Sequence, residues 1–445
     1  MFRLFQLAPA AQIRPFSSGS VSRAVYKSKS FSKKKTFDSS KNRKGSGKDK
    51  RFNKVVLSVN YRKFAQDQKA YESLPEFSPE TLYLDEVVRY KEPILKKLHI
   101  MGAFKPHQYN EVFSKPVTLS RKIETKKIDD FVAKSLTSSS KENRLIITGD
   151  KGVGKSTLLT QFHALALEKE KNVILQFNHL DMFLDGSTDY KLNQSTGLYD
   201  QPMATRRFLK KFYGLNKEVL AEIEASKPFG DASESSKQTL DAVLKAHMSN
   251  PATNHTELFA YIVDELAIQT AVPVYLSIDN FSAVIQYAMS RYRDKDNLPI
   301  YFQKFQVLKT LVEFISGDRS FAKGAVIAAM HSGHKTSDTI PVVLGLKEPD
   351  HYAKFAQWDR EFTNQLTKNG APQQLQVERF TRDQVQAIVQ YLIECNVIEH
   401  EVQKRGLAKI EDPEVVVSRL ADIEYVLSGN GNPKELYRNC LFSFI

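Results

Sequence analysis

A doubly wound α/β architecture is what this sequence predicts, and three observations predict it. Short apolar runs at Leu145–Thr148, Val173–Phe177, Val274–Ile278 and Ala325–Ala329 have the length and continuity of parallel strands buried on both faces. Segments with apolar residues three and four apart, at Ala204–Phe212, Glu257–Ile268 and Tyr301–Phe314, alternate with them and read as helices. Between the first run and a further helix expected over Lys155–Glu168 lies the octet Gly149–Ser156, GDKGVGKS. It matches G-x-x-x-x-G-K-S/T at the strand-to-helix junction where that pattern works.

Each residue type in the octet has a physical task. Glycines let backbone N–H groups turn inward around phosphate oxygens, lysine reaches the outer phosphates, and the serine hydroxyl can ligate Mg²⁺, while the following helix adds its positive dipole end. Phosphate binding is therefore expected from Gly149, Asp150, Lys151, Gly152, Val153, Gly154, Lys155, Ser156 and Thr157. The segment Pro273–Asn280, PVYLSIDN, is an apolar strand ending in aspartate. Asp279 is accordingly expected to join Ser156 as a Mg²⁺ ligand at the strand's carboxyl end. An extra strand at Val173, between the two motifs, marks the AAA-like branch of P-loop NTPases, and no guanine-specificity motif of the Ras-like type occurs.

The residue after Asp279 is Asn280, where AAA-type ATPases usually carry a glutamate that polarises the attacking water. An amide cannot act as a general base, so hydrolysis is expected to be slow or absent unless a carboxylate or a partner residue supplies the role from elsewhere. His331, Ser332 and His334 follow the fourth strand, where phosphate-sensing groups are often found, but three polar residues there are more often plain loop and are not assigned as ligands. Arg206 and Arg207 are weak candidates for an arginine finger. The histidines, with Cys395 and Cys440, offer no zinc spacing and no disulfide framework, which suits a reducing compartment.

A last strand is expected over Leu375–Phe380, followed by a helical, lid-like domain. Thr381 caps a helix through Glu394 with Val385, Ile388, Val389 and Leu392 on one face. A second helix spans Pro413–Leu427 and stops at Gly429, and Pro433 opens a third at the first-turn position proline favours. Lys434 can approach phosphates as a second sensor would, or simply face solvent, and the terminal LFSFI is expected to dock into the core.

The charge is concentrated at one end. Residues 1–54 hold 15 of the 64 Lys and Arg and two of the 51 acidic residues, so the entire net charge of +13 belongs to them and the remainder balances. Residues 1–16, with Arg3 and Arg14 among Phe2, Leu4, Phe5, Leu7 and Ile13, resemble a mitochondrial presequence, and the string Arg14-Pro15-Phe16-Ser17-Ser18 suggests cleavage after Phe16; the alternative is an uncleaved terminus. Residues 17–54 are too polar to bury a core and read as a disordered basic tail, either an RNA-binding arm that neutralises phosphates or a solvated spacer. Residues 55–120 read as an N-terminal extension packing on the core, with a short strand at Val55–Val59 and a partly helical Leu82–Leu98. The P-loop core is expected over residues 121–345, and the last strand and helical domain over 346–445. No run of about 18 apolar residues exists, so a membrane span is not expected.

Taken as an ordered set, GDKGVGKSTLL, YLSIDNFSAV, VERFTRDQVQAIVQYL and LSGNGNPKELYR, behind a mitochondrial-type presequence, resemble the death-associated-protein family of mitochondrial small-subunit ribosomal proteins, over roughly residues 120–445. The resemblance implies a structural subunit of the mitochondrial ribosome in the matrix. It also implies bound GTP or GDP with Mg²⁺ (ATP being possible), ribosomal RNA and small-subunit proteins as partners, and contacts near the large subunit. It carries over Gly149 to Thr157 as phosphate-binding and Ser156 with Asp279 as Mg²⁺ ligands. An active AAA-like ATPase of the matrix would instead turn over rapidly, and a nucleotide-switched assembly or signalling adaptor would change partners with nucleotide state.

Overall fold

The computed structural model describes residues 68–442 other than 106–107, 170, 231–237, 287, 332–336, 351, 353–357 and 411. The expected presequence, basic tail and Val55–Val59 strand lie outside the described residues, as do Ser332, His334 and the last three residues of LFSFI.

Five strands form one parallel sheet. They are β1 Arg144–Gly149, β2 Val173–Phe177, β3 Val274–Asp279, β4 Gly324–Ala329 and β5 Gln373–Val377, in the order β5-β1-β4-β3-β2. Successive side chains point to opposite faces. Leu175, Phe177, Leu276, Ile278 and Val326 enter one core, with helices Pro202–Leu220, His255–Ile268 and Gln306–Ser316. Leu145, Ile147, Tyr275, Ala325 and Ile327 enter a second, with helices Glu92–Met101, Glu124–Ser135 and Lys155–Lys169. Burial on both faces explains why β1 to β4 are predominantly apolar, whereas the edge strand β5, QQLQV, alternates glutamines with buried Leu375 and Val377.

The run at Val173 intervenes between the two motifs in the chain but not in the sheet. There the strand between β1 and β3 is β4, whose Ala329 stands in register with both Ile147 and Asp279, while β2 forms the far edge. Other boundaries move for local reasons. The helix expected from Tyr301 starts at Gln306, because Pro299–Tyr301 pairs with Met289–Arg293 in an antiparallel ribbon. The helix expected over Leu82–Leu98 begins at Glu92: Val87–Arg89 is extended and pairs with Val117–Leu119, and Pro93 occupies the helix's first turn. β5 ends at Val377 rather than Phe380, whose N–H donates to the Gly431 carbonyl at 2.8 Å as the chain leaves the sheet. Helices Glu124–Ser135 and Leu240–Met248 had no counterpart in the sequence reading.

The C-terminal helices occur at Arg382–Glu394, Pro413–Leu427 and Pro433–Phe442, the first with a capping box between Thr381 and Gln384. Their apolar faces share a third core with Val87, Phe113 and Leu119 of the extension, and Leu441 packs at its margin. The extension is tied to the helix after the P-loop through Gln161, whose Nε2 donates to Thr118 Oγ1 at 2.7 Å and to the Leu119 carbonyl at 2.8 Å. No helix among the described residues is long and apolar enough to cross a membrane.

Two features of the core give measurable expectations. A Cβ on Gly324, at φ 130°, would lie 1.9 Å from the Val274 carbonyl oxygen, so Gly324→Ala should lower unfolding stability by roughly 2–4 kcal/mol in chemical denaturation. His163 is buried with Nε2 2.9 Å from Ser277 Oγ, and burial pushes its pKa down to about 3. Between that value and the unfolded value of 6.5 only the unfolded chain takes up the proton, so stability should fall with pH through this window by up to about 1.4 kcal/mol per unit. His163→Gln should flatten that slope in urea titrations at successive pH values.

Candidate nucleotide site

The P-loop leaves the carboxyl end of β1 with Gly149, Gly152 and Gly154 at φ of 141°, 88° and 100°, a region in which only glycine is unstrained. The three glycines serve different ends. A Cβ on Gly149 would stand 2.5 Å from the Val377 carbonyl oxygen, and one on Gly152 would stand 2.7 Å from both Asn432 Oδ1 and Lys434 Cβ, so these two permit close packing. A Cβ on Gly154 would meet nothing within 4 Å. The loop is therefore crowded at its first two glycines and open at its third.

Lys155 begins the helix and is only 8% exposed; its Nζ donates to the carbonyls of Gly149 and Asp150 at 2.8 and 2.6 Å. Burial lowers its pKa to about 8, with Asp150 and Asp279 opposing the shift. The C-terminal region grips the loop from the other side. Asn432 Nδ2 donates to the Lys151 carbonyl at 2.9 Å, the Lys434 N–H to the Gly152 carbonyl at 3.2 Å, and Arg379 to Asp150 Oδ2 at 2.9 Å. Arg379 also donates to the Gly429 carbonyl at 2.6 Å, linking that grip to the end of the Pro413–Leu427 helix.

Lys151 to Thr157 line one cleft together with Asp279. Gly149 and Asp150, also expected to bind phosphate, are not among its lining residues: the first is packed against Val377 and the second is paired with Arg379. The extension supplies one wall through Phe104, Gln108, Tyr109 and Asn110, and the C-terminal helices supply another through Ile388, Lys434 and Tyr437. The extension wall carries no motif in the sequence, whereas on the other wall Lys434 was legible as a residue able to approach phosphates and Ile388 only as part of an apolar helix face. His331 also lines the cleft. Arg206 and Arg207 lie on the Pro202–Leu220 helix, Arg206 donating to the Met248 carbonyl at 3.3 Å and Arg207 to Met203 Sδ at 3.5 Å, and neither lines the cleft.

Asp279 ends β3 as the sequence predicted, but its side chain is engaged. Its Oδ2 accepts from Lys105 Nζ at 2.6 Å, in a pair whose side chains are 10% and 12% exposed. A hydroxyl from Ser156 and a carboxylate from Asp279 are the donor chemistry Mg²⁺ takes, and here the carboxylate already has a cation. Asn280 Oδ1 is buried without a hydrogen-bond partner. Among the described lining residues, Asp279 is the only carboxylate.

A family model described as mitochondrial ribosomal death-associated protein 3 matches residues 118–439. The chain belongs to this family. Membership makes it a mitochondrial ribosomal protein and places it in the mitochondrial matrix. The small ribosomal subunit protein mS29 of Schizosaccharomyces pombe is 23% identical over 382 residues, covering 84% of this chain and 75% of the relative. The protein of the same name from Neurospora crassa is 24% identical over 250 residues, covering 55% of this chain and 52% of the relative. The crystal structure of Cdc6p from Pyrobaculum aerophilum overlays with a TM-score of 0.32 at 14% identity, covering 71% of this chain and 60% of that one.

Because Asn432 closes the loop by one charge-free hydrogen bond, Asn432→Ala should weaken it locally by about 1 kcal/mol, a roughly fivefold faster amide exchange over residues 151–154. Exchange in β3 and β4 should stay unchanged.

Proposed function

We propose that this chain is a structural component of the small subunit of the mitochondrial ribosome that holds a guanine nucleotide by its phosphates in the P-loop, hydrolyses it slowly or not at all, and contributes to mitochondrial translation. The observation that carries the nucleotide reading is the cleft itself. Lys151 to Thr157 face it, Gly154 opens onto free space, and the extension and the C-terminal helices close its sides around a volume a nucleoside can enter. Lys155 and the amino-terminal end of the Lys155–Lys169 helix supply the positive field that phosphate oxygens require. Ser156 and Asp279 are the residues the motif would offer to Mg²⁺, although the Asp279 carboxylate is already paired with Lys105.

Small-subunit membership is supported by the two relatives named for it, and guanine by the family resemblance. Ribosomal RNA and neighbouring small-subunit proteins are the partners that follow, and the charge of +13 carried by residues 1–54 suits a phosphate backbone. Slow hydrolysis follows from the cleft's chemistry. Asn280 takes up no proton, and the Asp279 carboxylate is paired with the Lys105 ammonium.

Sedimentation of matrix extract at moderate salt, followed by identification of the nucleotide released from the purified fraction, tests this reading. The chain should travel with the small subunit and release about one GDP or GTP per copy, with turnover well below about one per second. Lys155→Ala should lower nucleotide content at least about tenfold while leaving sedimentation unchanged. A chain that sediments free and hydrolyses ATP rapidly would overturn it.

A further inference from the structure

The contact between Lys105 and Asp279 joins residues 174 positions apart, and the surrounding structure shows how it is set. Helix Glu92–Met101 ends at Gly102, which adopts φ 69°. The carbonyl of Met101 accepts from Asn178 Nδ2 and, at 3.4 Å, from Lys211 Nζ, and the Gly102 carbonyl accepts from Asn178 at 3.2 Å. Asn178 follows β2 directly, so the helix end is docked at the carboxyl edge of the sheet. The chain then runs through Ala103 and Phe104 to Lys105. Its backbone is held in turn, the Lys105 N–H donating to Gln108 Oε1 at 3.2 Å and the Gln108 N–H to the Lys105 carbonyl at 2.9 Å. The ammonium group thus reaches Asp279 from a segment fixed on both sides, and Phe104 and Gln108 on either side of it line the cleft.

We propose that Lys105 is the resident counter-cation of Asp279, taking the place that Mg²⁺ holds in other P-loop sites, so that this chain binds a nucleoside diphosphate or triphosphate with little dependence on divalent metal. The inference rests on the P-loop reading above. A tethered ammonium in a nearly dry corner forms a charge-assisted hydrogen bond without the dehydration that Mg²⁺ resists. For the metal to take Asp279, Lys105 must leave, and its charge must find another partner or water. The neighbourhood makes that departure harder. Lys211, held below the usual lysine range by burial and then by the Lys105 charge, bonds the Met101 carbonyl on the same side and offers a displaced ammonium repulsion. Positive charge for the phosphates is already present in Lys155 and the helix terminus.

The test is binding of fluorescently labelled GDP to the purified full chain, with Mg²⁺ and with excess EDTA. The wild type should lose less than about threefold in affinity on chelation, whereas Lys105→Met, which frees the carboxylate for metal, should lose more than about thirtyfold. The doubly neutral variant Lys105→Met/Asp279→Asn keeps the corner free of unpaired charge. It should fold and be as indifferent to EDTA as the wild type, which keeps the test open if the single variant fails to fold. A thirtyfold loss in the wild type, or equal metal dependence in wild type and Lys105→Met, overturns the inference and leaves nucleotide binding standing. No binding in either buffer removes the P-loop reading and this inference together.

Discussion

The hydrogen bonds from Asn432 and Lys434 to the carbonyls of Lys151 and Gly152 set the conformation on which the rest of the site depends. In a planar trans peptide the C=O of one residue and the N–H of the next point in opposite directions. Drawing those two carbonyls toward the C-terminal segment therefore turns the Gly152 and Val153 N–H groups away from it, both to the same side. An anion-binding loop needs its donors on one side. Here that polarity is imposed by a segment nearly three hundred residues downstream, not by glycine content alone, and Gly152 lacks a side chain because Asn432 and Lys434 occupy the space.

The same corner joins three parts of the chain. The sheet presents Asp279 and the P-loop, the extension brings Lys105 and one cleft wall, and the C-terminal helices bring Arg379, Asn432 and Lys434. Both acidic groups at the loop are matched by basic residues from outside the β1-to-β4 core: Asp150 by Arg379 and Asp279 by Lys105. The extension and the C-terminal helices also share a hydrophobic core of their own. Movement of either therefore strains contacts in the other as well as at the loop.

What was legible in the sequence followed from local chemistry. The four apolar runs are strands because both sheet faces are buried, and the P-loop and Thr381 cap declare themselves through residue types with one geometric use. The position of Asp279 at a strand end was legible because an apolar run stops there. Neither strand order nor Lys105 could be read this way. The order β5-β1-β4-β3-β2 is a matter of pairing between strands far apart in the chain, which no local pattern encodes, and Lys105 is an ordinary lysine in a motif-free stretch whose meaning comes from where Gly102 and Asn178 place it. The same holds for the extension: its ribbon strands are three residues each, too short for periodicity to register.

On the reading proposed here, the nucleotide occupies the junction of these three parts, and that bears on why turnover would be a disadvantage. A ligand that binds only the folded arrangement stabilises it by about 2.7 kcal/mol at a concentration a hundred times its dissociation constant, and a single site between three chain segments delivers that stabilisation to their mutual packing. Rapid hydrolysis with product release would withdraw it once per cycle. An amide at Asn280 in place of a base and a lysine on the carboxylate of Asp279 both act in the direction of retention. For a component of a large ribonucleoprotein, whose neighbours depend on its shape, a retained nucleotide would serve as a staple between the extension, the sheet and the C-terminal helices.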